Sequence, residues 1–562
     1  MAVAGDEAAR RAQSITRPAT GRRPPRHRQP AYHRGVTSAT AETETPQEPD
    51  VAAAAPRTAG RAGVPAVVRR RLATLDNWLN PYSWLVTGLI VVIAAVLRLV
   101  GIGRPKGYIF DEVYYPTDAA DMLRHGVEWD TKTDGPAYVV HPPLGKWLIA
   151  LGEEAFGNHE FGWRFPTAVA GTLMILILVR VAYRMFHSIV LAGTAGMLMT
   201  LDGFQLVLSR TSLLDIFLGL FVLASFAAMV LDRDAYRRRL LRALEAGWDP
   251  HAGDRPPRAV PWWGLAAGVL FGLACGVKWS GLFFAPFFAF LAVLWRIQAR
   301  RSAGVRQPAL SGVLSDAGWV VLSFVLSVVF YLATWTGWLL TGDGYFRHWR
   351  RDNGFSEPPV LGALLNLLHY HRTAYGFHSG LTDKHIYQSW PWQWLLLGRP
   401  VAFYWNGNGR CGASSCASEI LLLGTPILWW SFLPALAALV WFGIARRDWR
   451  ALAIGTGVTA GILPWFYYAI SDGRTMFSFY VLPALPFLIL AVVYVLGAIM
   501  TPPAGIAAGS ARTDRQLIGT VVACFYVVLV GLCFAYFWPI FVGSTMPYEA
   551  WQARMWLGGR WI

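Results

Sequence analysis

About eleven stretches of this chain are apolar for long enough to cross a lipid bilayer, and no other feature limits its fold so severely. A hydrocarbon core of roughly 30 Å takes about 20 residues of helix, and inside it every backbone N–H and C=O must be paired within the protein, which favours helices. The stretches run approximately over 84–103, 164–184, 189–208, 212–231, 261–277, 279–296, 317–340, 421–444, 451–470, 476–499 and 516–538. With 54% hydrophobic and only 15% charged residues, nearly all of the chain is expected in lipid. The expected class is an all-α polytopic membrane protein.

An odd number of crossings puts the two termini on opposite sides, and arginine decides which side is which. Short loops rich in Arg and Lys stay in the cytoplasm. Arg69, Arg70 and Arg71, then Arg233 with Arg237 to Arg239 and Arg242, Arg296 with Arg300, Arg301 and Arg306, Arg446 with Arg447 and Arg450, and Arg512 with Arg515 all thread to one face. The amino terminus is therefore expected in the cytoplasm and the carboxyl terminus outside. The formal charge of +16 resides mostly on the inner face, where basic loops are ordinary, so nucleic acid is not expected as a partner. Residues 1–75, without an apolar run, read as a disordered basic tail rather than a signal peptide, either simply solvated or weakly drawn to anionic lipid heads.

Two outer segments exceed the length of a connection, about 104–163 and about 341–420, and function is expected there. The first holds ten acidic residues against five Lys and Arg. Tyr114, Tyr115, Ala119, Met122 and Leu123 recur at helical spacing within it, which fits an interfacial helix or one packed on the bundle. The second carries His369, His371, His378 and His385 in a spacing that matches no closed metal site, amid Trp and Tyr that suit an interfacial belt or a sugar platform. Cys411 and Cys416 could form a disulfide there or remain two free thiols, while Cys275, Cys524 and Cys533 lie in spans. Gly264, Gly268, Gly272 and Gly276 form a stripe that would let another helix approach closely. There is no phosphate loop, dinucleotide fingerprint or H-E-x-x-H, and no pair of matching halves.

Threading brings one set of ionisable residues to the outer rim: the pair Asp111 and Glu112, His141 and Lys146, Arg164, Arg210 and Asp215, Lys278, and Arg474. Carboxylates beside hydrocarbon are costly and point to a site. One of them can take the proton of an attacking hydroxyl, and nearby cations can hold a lipid phosphate and stabilise it as it departs. That set suffices for inverting glycosyl transfer from a lipid-linked sugar. Arg98 and Arg210 could instead snorkel, and Asp202 and Asp215 could be structural.

In order along the chain stand FDEVYY, HPPLGKW, FGWRFP, SRTSLLD, GVKWSGLFF and RTMFSFYVLPALPF. Over about residues 80–562 this ordered set resembles the actinobacterial protein O-mannosyltransferases of the GT-C glycosyltransferase superfamily. The resemblance implies a GT-C fold, a polyprenyl-phosphate-mannose donor, Ser or Thr of an unfolded exported polypeptide as acceptor, and reaction at the extracytoplasmic face of the plasma membrane. It implies Asp111 as base, Glu112 as the residue that positions the acceptor, and Arg164 and Lys278 at the lipid phosphate. His141 and Lys146 lie in a motif without an assigned role. No cofactor is expected, with divalent-metal dependence open, and a coupling to the protein-export channel is plausible. Eukaryotic relatives pair as heterodimers and insert a β-trefoil MIR domain where this chain has only 341–420, a loop too short and too rich in Trp for one. The rivals are transfer of another lipid-linked sugar, aminoarabinose or arabinofuranose, to lipid or cell-wall glycan, and a flippase or transporter for lipid-linked sugars.

Overall fold

The computed structural model describes residues 63–74, 78–252, 259–501 and 510–562. Most of the expected tail, residues 1–62, lies outside the described residues. Its last part is helical: α1 (Ala66–Leu72) buries Leu72 against Tyr236, Leu240 and Ala299, so the tail expected to reach residue 75 ends earlier.

The bundle opens with α2 (Pro81–Leu99), capped by the Asn80 side chain on Tyr82 N and Ser83 N with proline in the first turn. Helices α3 (Tyr115–His125) and α4 (Leu144–Phe156) follow on one face, joined through a two-residue ribbon, β1 (Trp129–Asp130) with β2 (Gly135–Pro136). The bundle continues through α5 (Glu160–Phe186), α6 (Ile189–Thr200), α7 (Gly203–Arg210), α8 (Asp215–Glu245), α9 (Trp262–Val277), α10 (Phe284–Ala303) and α11 (Pro308–Ala333). Short helices α12 (Thr336–Leu340) and α13 (Trp349–Asp352), the longer α14 (Leu361–Gly380) and α15 (Pro391–Trp394) return to the face of α3 and α4. Helices α16 (Pro426–Arg446), α17 (Trp449–Ile470), α18 (Leu485–Met500), α19 (Ser510–Val542) and α20 (Tyr548–Gln552) complete the helical elements.

Among the described residues, nine helices are long and apolar enough to cross a bilayer, and α6 with α7, bent by 59° at their break, passes the same test as a pair. The 16 residues of α9 form a shorter apolar helix of about 24 Å at 1.5 Å per residue. Each expected stretch coincides with one of these segments. Several boundaries differ: α11 runs over Pro308–Ala333 where 317–340 is expected, and α10 continues to Ala303 rather than 296. Helix α8 runs to Glu245, because the arginines beyond the apolar stretch continue the helix past the lipid. The stretch expected from 421 begins helically only at Pro426, because the residues before it are in a strand.

That strand belongs to a small sheet that the all-helical expectation lacks. Strand β3 (Val401–Asn406) pairs antiparallel with β4 (Cys416–Leu422), Val401 opposite Leu422 and Asn406 opposite Ser418, with a bulge between Ala402 and Tyr404. Strand β4 also pairs with β5 (Met546–Pro547). The hairpin loop is closed by a Cys411–Cys416 disulfide.

The glycine stripe works as packing. A side chain at Gly268 or Gly272 would collide with the backbone carbonyls of Ser323 or Ser327 on α11, and one at Gly276 with Thr334. Helix α11 crosses α9 at backbone contact, Ser327 Oγ donating to Gly268 O at 2.8 Å.

Candidate active site

Directly after α2 the chain turns back over the bundle, and residues Phe110–Val113 form a single 3-10 turn. Phe110 takes a left-handed φ of 49°, a conformation that costs a bulky side chain roughly 1–3 kcal/mol and recurs where a site demands it. A face-to-face stack on Phe403 of β3, centroids 4.4 Å apart, holds it there. With about three residues per turn, the adjacent carboxylates Asp111 and Glu112 project in different directions and meet different environments.

Glu112 points inward and is fully buried. It accepts from Arg164 Nε at 2.8 Å, Arg164 Nη2 at 2.7 Å, Ile109 N at 3.1 Å and Ser212 N at 2.9 Å. Arg164, equally buried, gives its remaining donors to the carbonyls of Ile102, Pro105 and Gly107. All five guanidinium N–H groups are therefore engaged within the protein.

Asp111 is half-buried. Burial pushes its carboxyl up to about 6, the nearby Lys278 ammonium opposes the shift, and the Asp215 carboxylate adds to it. Lys278 Nζ lies 2.7 Å from Asp215 Oδ2. Asp215 opens α8 and Lys278 follows the last residue of α9, so each charge occupies the helix end whose dipole favours it. Nearby, Arg474 follows α17 and is only 7% exposed. Its Nε donates to His378 O at 2.8 Å, and the buried Nη1 has no hydrogen-bond partner among the described residues. The rings of Tyr480 and Trp465 lie 5.6 and 5.9 Å from the guanidinium.

His141 stacks on His378 with centroids 5.3 Å apart. Burial, then the charges of Lys278 and its neighbours, holds the His141 imidazole well below its usual range. His378, lowered to about 4 chiefly by burial, is neutral at pH 7 and donates from Nε2 to Val140 O. The two imidazoles are neutral, so the positive charge beside them comes from Lys278 and Arg474.

The residues expected at one rim thus separate into groups. Asp111, His141, Asp215, Lys278 and Arg474 converge. Glu112 and Arg164 form a closed pair behind the turn. Lys146, 1% exposed, is held by Glu128 and lies 3.7 Å from Asp118, pinning α4 to α3 and β1. Arg210 turns to the end of α2, its Nη1 donating to Leu97 O, Arg98 O and Val100 O at 3.0, 3.0 and 2.8 Å. Arg98 does not snorkel: it is fully buried and bonded to Gln205 Oε1, because the break between α6 and α7 presents that amide and Met199 O to it. Asp202 is structural, capping α7 through Gln205 N and accepting from Trp429 Nε1.

The sequence reading passed over Tyr480 and the individual role of His378. Seven residues separate His371 from His378 on α14, two helical turns, which places both on the face that packs against Trp279. That spacing was the available signal. No group of three His, Cys, Asp or Glu side chains among the described residues is arranged to hold a metal ion.

Residues 363–561 match the family model for the C-terminal four-transmembrane region of protein-O-mannosyltransferase, and residues 140–245 match that of dolichyl-phosphate-mannose-protein mannosyltransferase. The polyprenol-phosphate-mannose--protein mannosyltransferase of Mycobacterium tuberculosis is 38% identical over 84% of this chain and 91% of its own length. Its namesake in Corynebacterium glutamicum is 32% identical over 85% of this chain and 93% of its own length. Among solved structures, the donor-bound Pmt1-Pmt2 complex of S. cerevisiae superimposes with a TM-score of 0.62 at 16% identity, covering 89% of this chain and 95% of the matched one. At that identity the likeness concerns the fold.

Proposed function

The chain belongs to the protein O-mannosyltransferase family, and on that premise we propose that it moves mannose from a polyprenyl phosphate to Ser or Thr hydroxyls of exported polypeptides, with Asp111 as the general base. The observation that carries this reading is the half-buried Asp111 carboxylate beside the Lys278–Asp215 pair, with an incompletely satisfied Arg474 guanidinium near by.

The acceptor hydroxyl oxygen attacks the anomeric carbon of the mannose while its proton passes to the Asp111 carboxylate. The bond from that carbon to the phosphate oxygen breaks, and its electron pair leaves with the lipid phosphate. Lys278 and Arg474 stabilise the departing charge. Attack opposite the leaving phosphate inverts the sugar carbon. Glu112 and Arg164 act by positioning: they fix the turn from which Asp111 projects, and Lys146 steadies α3 and α4 from below. His141 and His378 form an uncharged wall against which a sugar packs. Arg210 stands apart from this group at the end of α2.

Residues 80–562 form the catalytic unit. Arginine-rich loops on the opposite face support a cytoplasmic amino terminus and a site on the extracytoplasmic side of the plasma membrane. A half-buried Asp111 beside the ends of apolar helices favours an unfolded acceptor, which the export channel would supply.

The deciding experiment supplies membranes with radiolabelled polyprenyl-phosphate mannose and a Thr-rich peptide. Labelled peptide is expected from the parent chain, and Asp111→Asn should lower kcat by about 10²- to 10⁴-fold while donor binding persists. Retained transfer in that variant would remove the base assignment. Label entering glycan in place of peptide would favour the aminoarabinose or arabinofuranose type of activity.

A further inference from the structure

A cavity of about 590 Å³ opens at the ends of α2, α7 and α19. Its wall includes Arg104, Lys106 and Arg210 and no carboxylate. Lys106 is balanced by Glu160 at 3.0 Å. Arg210, only 8% exposed, is bonded through Nη1 to backbone carbonyls, and none of its bonds goes to a carboxylate. Gly101, another wall residue, lies beside Arg210 Nη2, which a Cβ there would meet at 3.8 Å. Arg104 is exposed, and like Arg210 it forms no ion pair among the described residues. A nine-tenths-buried guanidinium and a second arginine thus face one cavity with two positive charges unopposed, while Tyr404, Asn406 and Ser544 offer polar groups beside them.

The surroundings identify the counter-charge. Val100, 68% exposed, and Trp538 form the apolar part of the wall. Below them α2 and α19 carry outward apolar side chains, Val92 and Val96 on one and Val528 and Leu532 on the other. Both helices pack on α6 and α7, which lie between them. Cations over an apolar lane at the end of two spans match a phosphodiester with hydrocarbon tails better than an acidic peptide, which would leave the lane uncovered.

We propose that this cavity binds the headgroup of an anionic phospholipid, its phosphate held by Arg210 and Arg104 and its chains lying along α2 and α19. The cavity wall and the catalytic turn are parts of one loop, since Arg164 ties the carbonyls of Ile102, Pro105 and Gly107 to Glu112.

The test uses the full chain in phosphatidylcholine nanodiscs doped with phosphatidylglycerol bearing a photoactivatable acyl chain, followed by peptide mapping. Crosslinks are expected in the peptides around Val100 and Trp538. They should fall about five-fold in Arg104→Gln, the equivalent of roughly 1 kcal/mol per basic residue near a lipid surface, and recover in Arg104→Lys. Arg104 is exposed, so these variants retain the fold. Equal labelling by a photoactivatable phosphatidylcholine, or labelling indifferent to Arg104→Gln, would overturn the proposal. So would displacement by excess polyprenyl phosphate, which would assign the cavity to donor or product, or by an acidic acceptor peptide, which would assign it to the polypeptide.

Discussion

Two adjacent carboxylates with opposite fates show how much a single 3-10 turn decides. Asp111 must be ionised to accept a proton, and burial raises it from an ordinary value near 3.8 to about 6. Transfer should therefore fall about tenfold per pH unit below about 6 and level off above it, measured as kcat/KM against pH. Lys278 favours the ionised form, so Lys278→Gln should move that acid limb to higher pH; an unmoved limb would show that another group titrates. Glu112 is different: removing it strands the Arg164 charge in a buried site. Glu112→Ala should cost about 3–5 kcal/mol of stability, and adding Arg164→Met should recover part of it without restoring transfer, read from Tm and activity of the three variants. Span counting grouped Asp111, His141, Asp215, Lys278 and Arg474, which lie near one another in the structure, because it fixes which end of a helix each occupies. It could not separate Arg474, which keeps an unpartnered nitrogen, from Arg164, which has none, because Arg164 finds its partner 52 residues away through a turn whose direction depends on the Phe110–Phe403 stack.

At the level of elements, α9 and α4 carry charges and gaps whose effects can be measured. Gly272 meets the Ser327 carbonyl of α11, a backbone atom that cannot yield, whereas Gly455 in α17 has nothing within 4 Å. Gly272→Val should destabilise by about 1–3 kcal/mol, while Gly455→Ala should be neutral or slightly stabilising; equal melting temperatures would remove the close-packing role of the stripe. On α4, Glu153 is 4% exposed with both carboxyl oxygens unpartnered, and burial raises it to about 8. Its folded value lies above the unfolded one near 4.5, so the stability tied to its protonated form is complete below about pH 4.5 and drains away as pH rises toward 8. Glu153→Gln should accordingly raise Tm most at pH 8 and flatten the dependence on pH. The spans were legible because a 20-residue apolar run has one interpretation. The β3–β4 hairpin was not: Val401–Asn406 is rich in aromatics that also suit a membrane interface, and Cys416–Leu422 merges into the apolar run of α16.

For the molecule as a whole, the site itself counts crossings. If the bent pair α6–α7 and the short α9 each cross, Asp111 follows one span, Asp215 three, Lys278 five and Arg474 nine, so an even number of crossings separates any two of them and they meet on one face. The two weakest members are the bent pair α6 and α7 and the 16-residue α9. Cys275, Cys524 and Cys533 are free, and Cys411 is joined to Cys416, so a background lacking the three free thiols allows single reporters. Lys132 and Arg301, both exposed, are separated by α5, the α6–α7 pair, α8, α9 and α10. If all five cross, the two residues lie on opposite faces. A membrane-impermeant maleimide applied to intact cells should therefore label Lys132→Cys, and should reach Arg301→Cys only after permeabilisation. If either α6–α7 or α9 entered and left by the same face, the parity would become even and both reporters would react alike. The same parity places the lysine and the two aspartates of the site together, so like labelling of the two cysteines would dismantle the catalytic arrangement along with the topology.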